Sequence, residues 1–253
     1  MIPLPSHVPR TRRPIVTWIL MLINFLVFLY FYVQGPQALQ EAIQDLGMIP
    51  HLILRGEKLH TIVTSMFMHG GWIHLLGNML YLYVFGAPLE NRLGRTKFVA
   101  FYFVCGLCAA FMHIGIEKSF AEPMIIYNPY GKPLVVDPLW IPCVGASGAI
   151  SGLIGGYLNA FPRSRLQVLT IFLFLPLVLS IPASIFITIW FLYQLWMGLL
   201  ALASNYFAGV AFWAHIGGFV AGLLITLQLL RDSKKRIKVT YYRGKISYEI
   251  PIQ

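Results

Sequence analysis

Six long apolar runs punctuate this 253-residue chain, and they limit what it can fold into more than any other feature. A helix rises 1.5 Å per residue, so about 20 apolar residues cross the roughly 30 Å hydrocarbon core of a bilayer. The candidate spans are Pro14–Val33, Gly71–Pro88, Phe98–Ile116, Gly145–Phe161, Ile181–Leu202 and Phe207–Leu230. Charged residues make up only 11% of the chain, too few to coat a water-facing surface. The expected fold class is an all-α membrane protein, a six-transmembrane-helix bundle. A further apolar stretch, Leu166–Ser180, is too short to span alone and is broken up by Pro162, Pro176 and Pro182. It reads as an interfacial or re-entrant piece.

Lys and Arg residues set the orientation. With six spans, only Arg55, Lys58, Lys118 and Lys132 fall on one side, and the remaining basic residues cluster on the other. Both termini are therefore expected to be cytoplasmic. Residues 1–13 form a cytoplasmic N-terminal segment, 14–230 the six-helix core and 231–253 a basic cytoplasmic tail. The long loops, about Gln34–Gly70 and Glu117–Val144, lie outside, and Gln37–Leu46 has the period of a short interfacial helix. In the tail, Lys238–Ile250 alternates enough for a small hairpin, although a solvated stretch attracted to anionic lipid is the simpler reading.

The basic excess does not point to nucleic acid, because no basic stripe is interleaved with aromatics. Cys105, Cys108 and Cys143 are an odd set, two of them inside an apolar run, and Cys105 and Cys108 read as small packing residues. The first span is long enough to cross and lacks a small-residue cleavage site after it, so no cleavable signal is expected.

All nine acidic residues fall outside the six expected spans. That removes a two-aspartate intramembrane protease and a zinc protease of the His-Glu-x-x-His type. It also disfavours a proton-coupled pathway. The spans do carry neutral polar chemistry: His74 and Asn78 in the second, Ser147 and Ser151 in the fourth, His215 in the sixth. A titratable group in a span is costly and so is a functional candidate by default. The second, fourth and sixth spans all run inward from the outer face. His74, Ser147 and His215 lie within about three to eight residues of their outer ends, so they can share one level.

Gly148, Gly152 and Gly156 recur every fourth residue on the fourth span, as Gly218 and Gly222 do on the sixth. Small residues at this spacing let helix backbones approach in lipid. Parallel packing of these two faces sets the serine hydroxyl beside the imidazole. Taken alone, Gly145-Ala-Ser-Gly-Ala-Ile-Ser-Gly152 is equally a packing face whose serines bond back to carbonyls, and the last glycine of a hydrolase elbow is replaced by Ala149. The conjunction at one depth carries the chemical reading. His215 is the candidate base for Ser147, and no span carboxylate reaches it, so the pair is a dyad. His74 and Asn78 share a helix face and, with the Ser147 amide, can form an oxyanion pocket.

These residues resemble a known family. Met68-His-Gly-Gly-Trp-Ile-His-Leu-Leu-Gly-Asn78, Gly145-Ala-Ser-Gly148 and Ala214-His-Ile-Gly-Gly218 look like the three signature motifs of rhomboid proteases. Glu90-Asn-Arg-Leu-Gly94 looks like the family's Glu-x-Arg-x-Gly segment. The resemblance implies a serine endopeptidase that cleaves transmembrane segments of other membrane proteins near the outer face. It makes Ser147 the nucleophile, His215 the base, and His74 and Asn78 oxyanion helpers, and it matches His69 to a further polar position. The implied partners are transmembrane protein substrates and the lipid bilayer, with no cofactor and no metal, and the oligomeric state is left open. A prokaryotic plasma membrane is the expected location, from the short six-span core.

Two departures stand out. Where many members carry an aromatic that packs on the base, this chain has Ser151, whose hydroxyl is expected to steady His215 instead. The Trp-Arg pair of the first outer loop is replaced near Leu59-His60. Glu90 and Arg92 are expected to form a structural ion pair. Trp190-Phe191 belong either to a lateral gate or to the lipid-facing surface. The rival functions are an inactive relative that binds transmembrane clients and a small transporter or channel.

Overall fold

The computed structural model describes every residue except 1, 5–7, 9–11, 127–133, 173–174, 205–208, 235–237, 243–244 and 250–253. The chain is mostly helical. Among the described residues, five helices are long and apolar enough to cross a membrane: Ile15–Tyr32, Trp72–Leu93, Arg95–Phe120, Ala183–Ser204 and Phe212–Leu230. The first of these is α1. It is followed by three short helices, α2 (Pro36–Leu46), α3 (Pro50–Leu54) and α4 (Thr61–Thr64). The first of the three is the one expected from the periodicity of Gln37–Leu46.

The second crossing is built from α5 (Trp72–Tyr81) and α6 (Ala87–Leu93), joined by a π-helical turn over Leu82–Gly86. Pro88 explains the turn, because it has no N–H to offer the Val84 carbonyl and its ring crowds that turn. The third crossing, α7 (Arg95–Phe120), outruns the expected Phe98–Ile116. Glu117 therefore sits in its last turn, where sequence placed it in a loop. Past α7, β2 (Met124–Ile126) and β3 (Leu134–Val136) pair antiparallel.

The helix in place of the fourth expected span, α8 (Ser147–Ala160), has only 14 residues, yet Gly148 through Tyr157 are all buried. It is the central post of the bundle. Covered on its flanks by protein, it does not need to match the thickness of the hydrocarbon by itself. Its glycines make the crowding feasible. A side chain at Gly148, Gly152 or Gly156 would run into Ala109, Cys105 or Phe101 of α7, so the expected packing role of Cys105 holds.

The last long helices are α9 (Ala183–Ser204) and α10 (Phe212–Lys234). The latter runs parallel to α8 with the Gly218 backbone on the Gly148 carbonyl and Gly222 on that of Gly152. The expected glycine contact between these helices thus forms, with one correction. The Gly148/Gly152/Gly156 face lies closest to α7 and also meets Ala214, Gly218 and Thr226 of α10, which touches α8 further through the α8 carbonyls and Gly155. A central helix has neighbours on several sides and needs small residues toward more than one of them.

A second correction concerns the all-α expectation, since Leu166–Ser180 adds strands to a mostly helical fold. The segment forms an antiparallel hairpin, β4 (Arg165–Phe172) and β5 (Leu175–Pro182), and β1 (Ile2–Leu4) pairs with β4. Its β-branched and leucine content suits strands, and Pro176 sits on β5, an edge strand where a missing N–H is tolerated. Leu166 and Val168 are buried, whereas Leu175, Leu177, Val178 and Leu179 are exposed. The tail also pairs, β6 (Lys238–Tyr242) with β7 (Lys245–Glu249), as the hairpin reading of this stretch expects. Residues 243, 244 and 250 of the expected hairpin lie outside the described residues.

Glu90 offers a third correction. Its carboxylate accepts from the Val16 and Thr17 amides at 2.9 and 2.7 Å and from the Thr17 hydroxyl at 2.8 Å. It caps the first turn of α1 from another helix, where free N–H groups and the dipole favour an anion, and does not pair with Arg92.

Candidate active site

Gly145 starts the site. Its φ of +123° suits glycine alone, and a Cβ there would press on His74 Nε2. Its amide donates to the Ser65 carbonyl at 2.9 Å. This sharp turn feeds directly into α8, whose first residue is Ser147. The opening amides of a helix have no partner four residues back, so the N–H groups of the first turn of α8 are free to serve a ligand beside the serine.

His215 lies in the first turn of α10, brought alongside by the Gly218 and Gly222 contacts. Ser147 Oγ donates to His215 Nε2 at 2.8 Å. On the other side of the ring, Nδ1 donates to Gln194 Oε1 of α9 at 2.9 Å. An amide oxygen can only accept, so Nδ1 carries the proton and the Nε2 lone pair faces the serine. Trp190, one turn before Gln194, places its ring centroid 6.3 Å from that of His215. Phe191 stacks on Phe219 at 4.5 Å, so this pair of aromatics packs on α10.

His74 and Asn78 of α5 border Gly145, next to the serine turn. Gly70 N–H donates to His74 Nδ1 at 3.4 Å, which leaves the proton on Nε2, the nitrogen against Gly145. Asn78 Nδ2 donates to His69 Nε2 at 2.9 Å, and His69 Nδ1 faces the Phe67 carbonyl at 3.4 Å. His69 is fully buried, and burial, reinforced by nearby His74, pulls its pKa down to about 4. It is a neutral ring that orients Asn78. Ser151, by contrast, donates to the Ser147 carbonyl at 2.7 Å. It is a back-bonding helix serine, and the expected bond to His215 does not form, because the base is held from α9 instead.

Two cavities meet at this point. One of about 270 Å³ is bordered by His74, His113, Glu117, Val144 and Trp213. The other, of about 30 Å³, touches Ser147 and Gly148 and is large enough for one water. Cys143 borders both cavities. Desolvation, with a smaller push from Glu117, raises its thiol to about 12, so it is no competing thiolate. Sequence reasoning passed over two polar residues in the apolar runs, Gln194 and His113. His113 is buried in α7 with Nδ1 3.7 Å from Glu117. The cost of a polar group within a span was signal enough to find both.

Comparison with known proteins bears on the same residues. The family model described as "Rhomboid domain" matches residues 56–232, which include every side chain named above in this site. The Arabidopsis thaliana protein "RHOMBOID-like protein 6, mitochondrial" is 26% identical over 204 residues, 78% of this chain and 52% of the relative. "Rhomboid protein 1, mitochondrial" of Saccharomyces cerevisiae is 28% identical over 171 residues, 65% of this chain and 40% of the relative. "Rhomboid protease GluP" of Bacillus subtilis is 24% identical over 153 residues, 60% of this chain and 26% of the relative. The chain thus spans about half the length of these relatives or less. With the domain match covering most of the sequence, from before α4 into the last turns of α10, the chain belongs to the rhomboid family.

Proposed function

We propose that this multi-pass membrane protein is an intramembrane serine endopeptidase that cleaves transmembrane segments of other membrane proteins near the outer face. The observation that carries the reading is the 2.8 Å contact between Ser147 Oγ and His215 Nε2. Family membership supports it, as does the word protease in the name of the Bacillus relative.

In this mechanism Ser147 Oγ attacks the scissile carbonyl carbon while its proton passes to His215 Nε2. The carbonyl oxygen becomes an oxyanion beside His74 Nε2–H, the Asn78 amide and the first amides of α8. Collapse breaks the C–N bond, and His215 returns the proton to the leaving amine. Water then attacks the acyl-serine ester, giving a proton to His215, and the serine leaves with that proton. Each half of the reaction uses the same base once as acceptor and once as donor.

The proposed topology has six spans, with α8 as the short fourth and both termini cytoplasmic. Residues 14–230 form the catalytic core, and residues 1–13 and 231–253 flank it. This arrangement puts the first turns of α5, α8 and α10 at one level near the outer surface. The exposed apolar faces of α1 and α9, such as Leu22, Leu26, Ile189 and Trp196, suit lipid contact. The relatives named above come from a plant, a yeast and a bacterium, and two are named as mitochondrial. They lend no support to a prokaryotic plasma membrane in particular.

The test is proteolysis in liposomes containing a panel of tagged single-span proteins. Wild type is expected to cut at least one of them near its outer boundary, as mapped by mass spectrometry, and Ser147→Ala to cut none. Identical fragments from both proteins would overturn the proposal.

A further inference from the structure

We infer that Gln194 is the positioning residue for His215, supplying from α9 the orientation that a carboxylate gives in a triad. The inference rests on the Ser147–His215 reading above. A base of this kind must present Nε2 unprotonated to the serine, and a lone imidazole is free both to rotate and to carry its proton on either nitrogen. Gln194 removes both freedoms. Its Oε1 lies 2.9 Å from His215 Nδ1, and the side chain is 6% exposed. Burial keeps water from competing for the same hydrogen bond.

The local sequence explains the arrangement. Gln194 is an amide in the strongly apolar stretch Ile185–Leu200 of α9. A polar side chain there is costly without a partner, and His215 Nδ1–H is the partner it has. Trp190 lies four residues earlier on the same helix face and covers the imidazole, with its ring inclined 32° to it. One face of α9 therefore grips the base twice, by packing and by a hydrogen bond. Ser151 cannot do this work, because its hydroxyl is committed to the Ser147 carbonyl.

A neutral acceptor fixes the tautomer without adding negative charge. Among the described residues, the titratable side chains acting on His215 are His74 from α5 and His113 from α7. Gln194 leaves that balance of charge untouched, whereas a carboxylate at 194 would favour the imidazolium.

The experiment measures inactivation of the full-length protein in detergent by a fluorophosphonate, separating kinact from KI between pH 5.5 and 9. Gln194→Leu keeps the volume and loses the acceptor. It is expected to lower kinact roughly 10- to 100-fold with KI unchanged, less than the loss for a triad carboxylate. Gln194→Glu restores the acceptor. It is expected to recover most of kinact at pH 8–9 while its acid limb moves to higher pH. If Gln194→Leu does not fold, that shift of the limb in Gln194→Glu decides the matter.

Wild-type kinact and an unmoved limb in both variants overturn the assignment of Gln194. Equal losses in both with an unmoved limb indicate a purely structural amide and overturn it as well. Ser147→Ala, run in parallel, separates the two layers: labelling that survives it overturns the underlying Ser147–His215 reading instead.

Discussion

The Gly218 backbone lies directly on the Gly148 carbonyl, one turn after His215 on α10 and one residue after Ser147 on α8. The two helices that carry the proposed nucleophile and base therefore meet backbone to backbone, beside the chemistry. A side chain at 218 would displace main-chain atoms, which are far harder to move than the end of a flexible side chain.

Gly218→Val is accordingly expected to separate the dyad. The prediction is loss of fluorophosphonate labelling together with about 1–3 kcal/mol or more of destabilisation, the range for overpacking. Thermal unfolding in detergent, run beside labelling at low temperature, checks both. A stable variant that labels normally would contradict the close approach.

Glu90→Ala removes the cap of α1 and leaves two amides and a hydroxyl without their acceptor. A stability loss of about 2 kcal/mol or more is expected from the lost charged hydrogen bonds and cap. Labelling of the protein that remains folded should stay near wild type, because Glu90 lies at the opposite end of the second crossing from His74. A selective loss of labelling with unchanged stability would assign Glu90 to the chemistry.

The pH dependence has two parts. His215 must be neutral to accept a proton, so labelling falls on acidification. His69 adds a stability effect. Its folded pKa of about 4 lies below the ordinary 6.5, so between these values the unfolded chain binds more protons than the folded one. The contribution is complete above pH 6.5 and is lost progressively toward pH 4, on the order of 3 kcal/mol in total. His69→Gln is expected to flatten the slope of thermal midpoint against pH in that window. An unchanged slope would contradict the neutral, buried assignment.

Ser151→Ala should leave both the rate and the pH profile of labelling close to wild type, because the lost bond runs to the Ser147 carbonyl and not to the imidazole. A shifted acid limb in this variant would return Ser151 to the base.

The long crossings and the polar residues inside them were legible because hydrocarbon imposes a length and penalises polarity. Ser147, His215, His74 and Asn78 stand out on that background, and the structure places them around one turn at Gly145. Other parts were not legible from pattern. Leu166–Ser180 is apolar on both strand faces, and periodicity alone does not separate such a run from a buried helix segment. Its pairing with Ile2–Leu4 joins residues more than 160 positions apart. The glycines of α8 advertised close packing with α10, but not that α7 would press on the same residues. Gln194 was legible in principle, as an amide in an apolar span, and its partner was not, since the contact with His215 depends on how α9 leans on α10.

The most direct test of the central claim is labelling of the intact protein in detergent with a fluorescent fluorophosphonate, comparing wild type with Ser147→Ala and His215→Ala. Wild type is expected to label, and labelling to disappear in both variants while each remains folded. Labelling that persists without Ser147, or a folded wild type that takes no label, would contradict that claim.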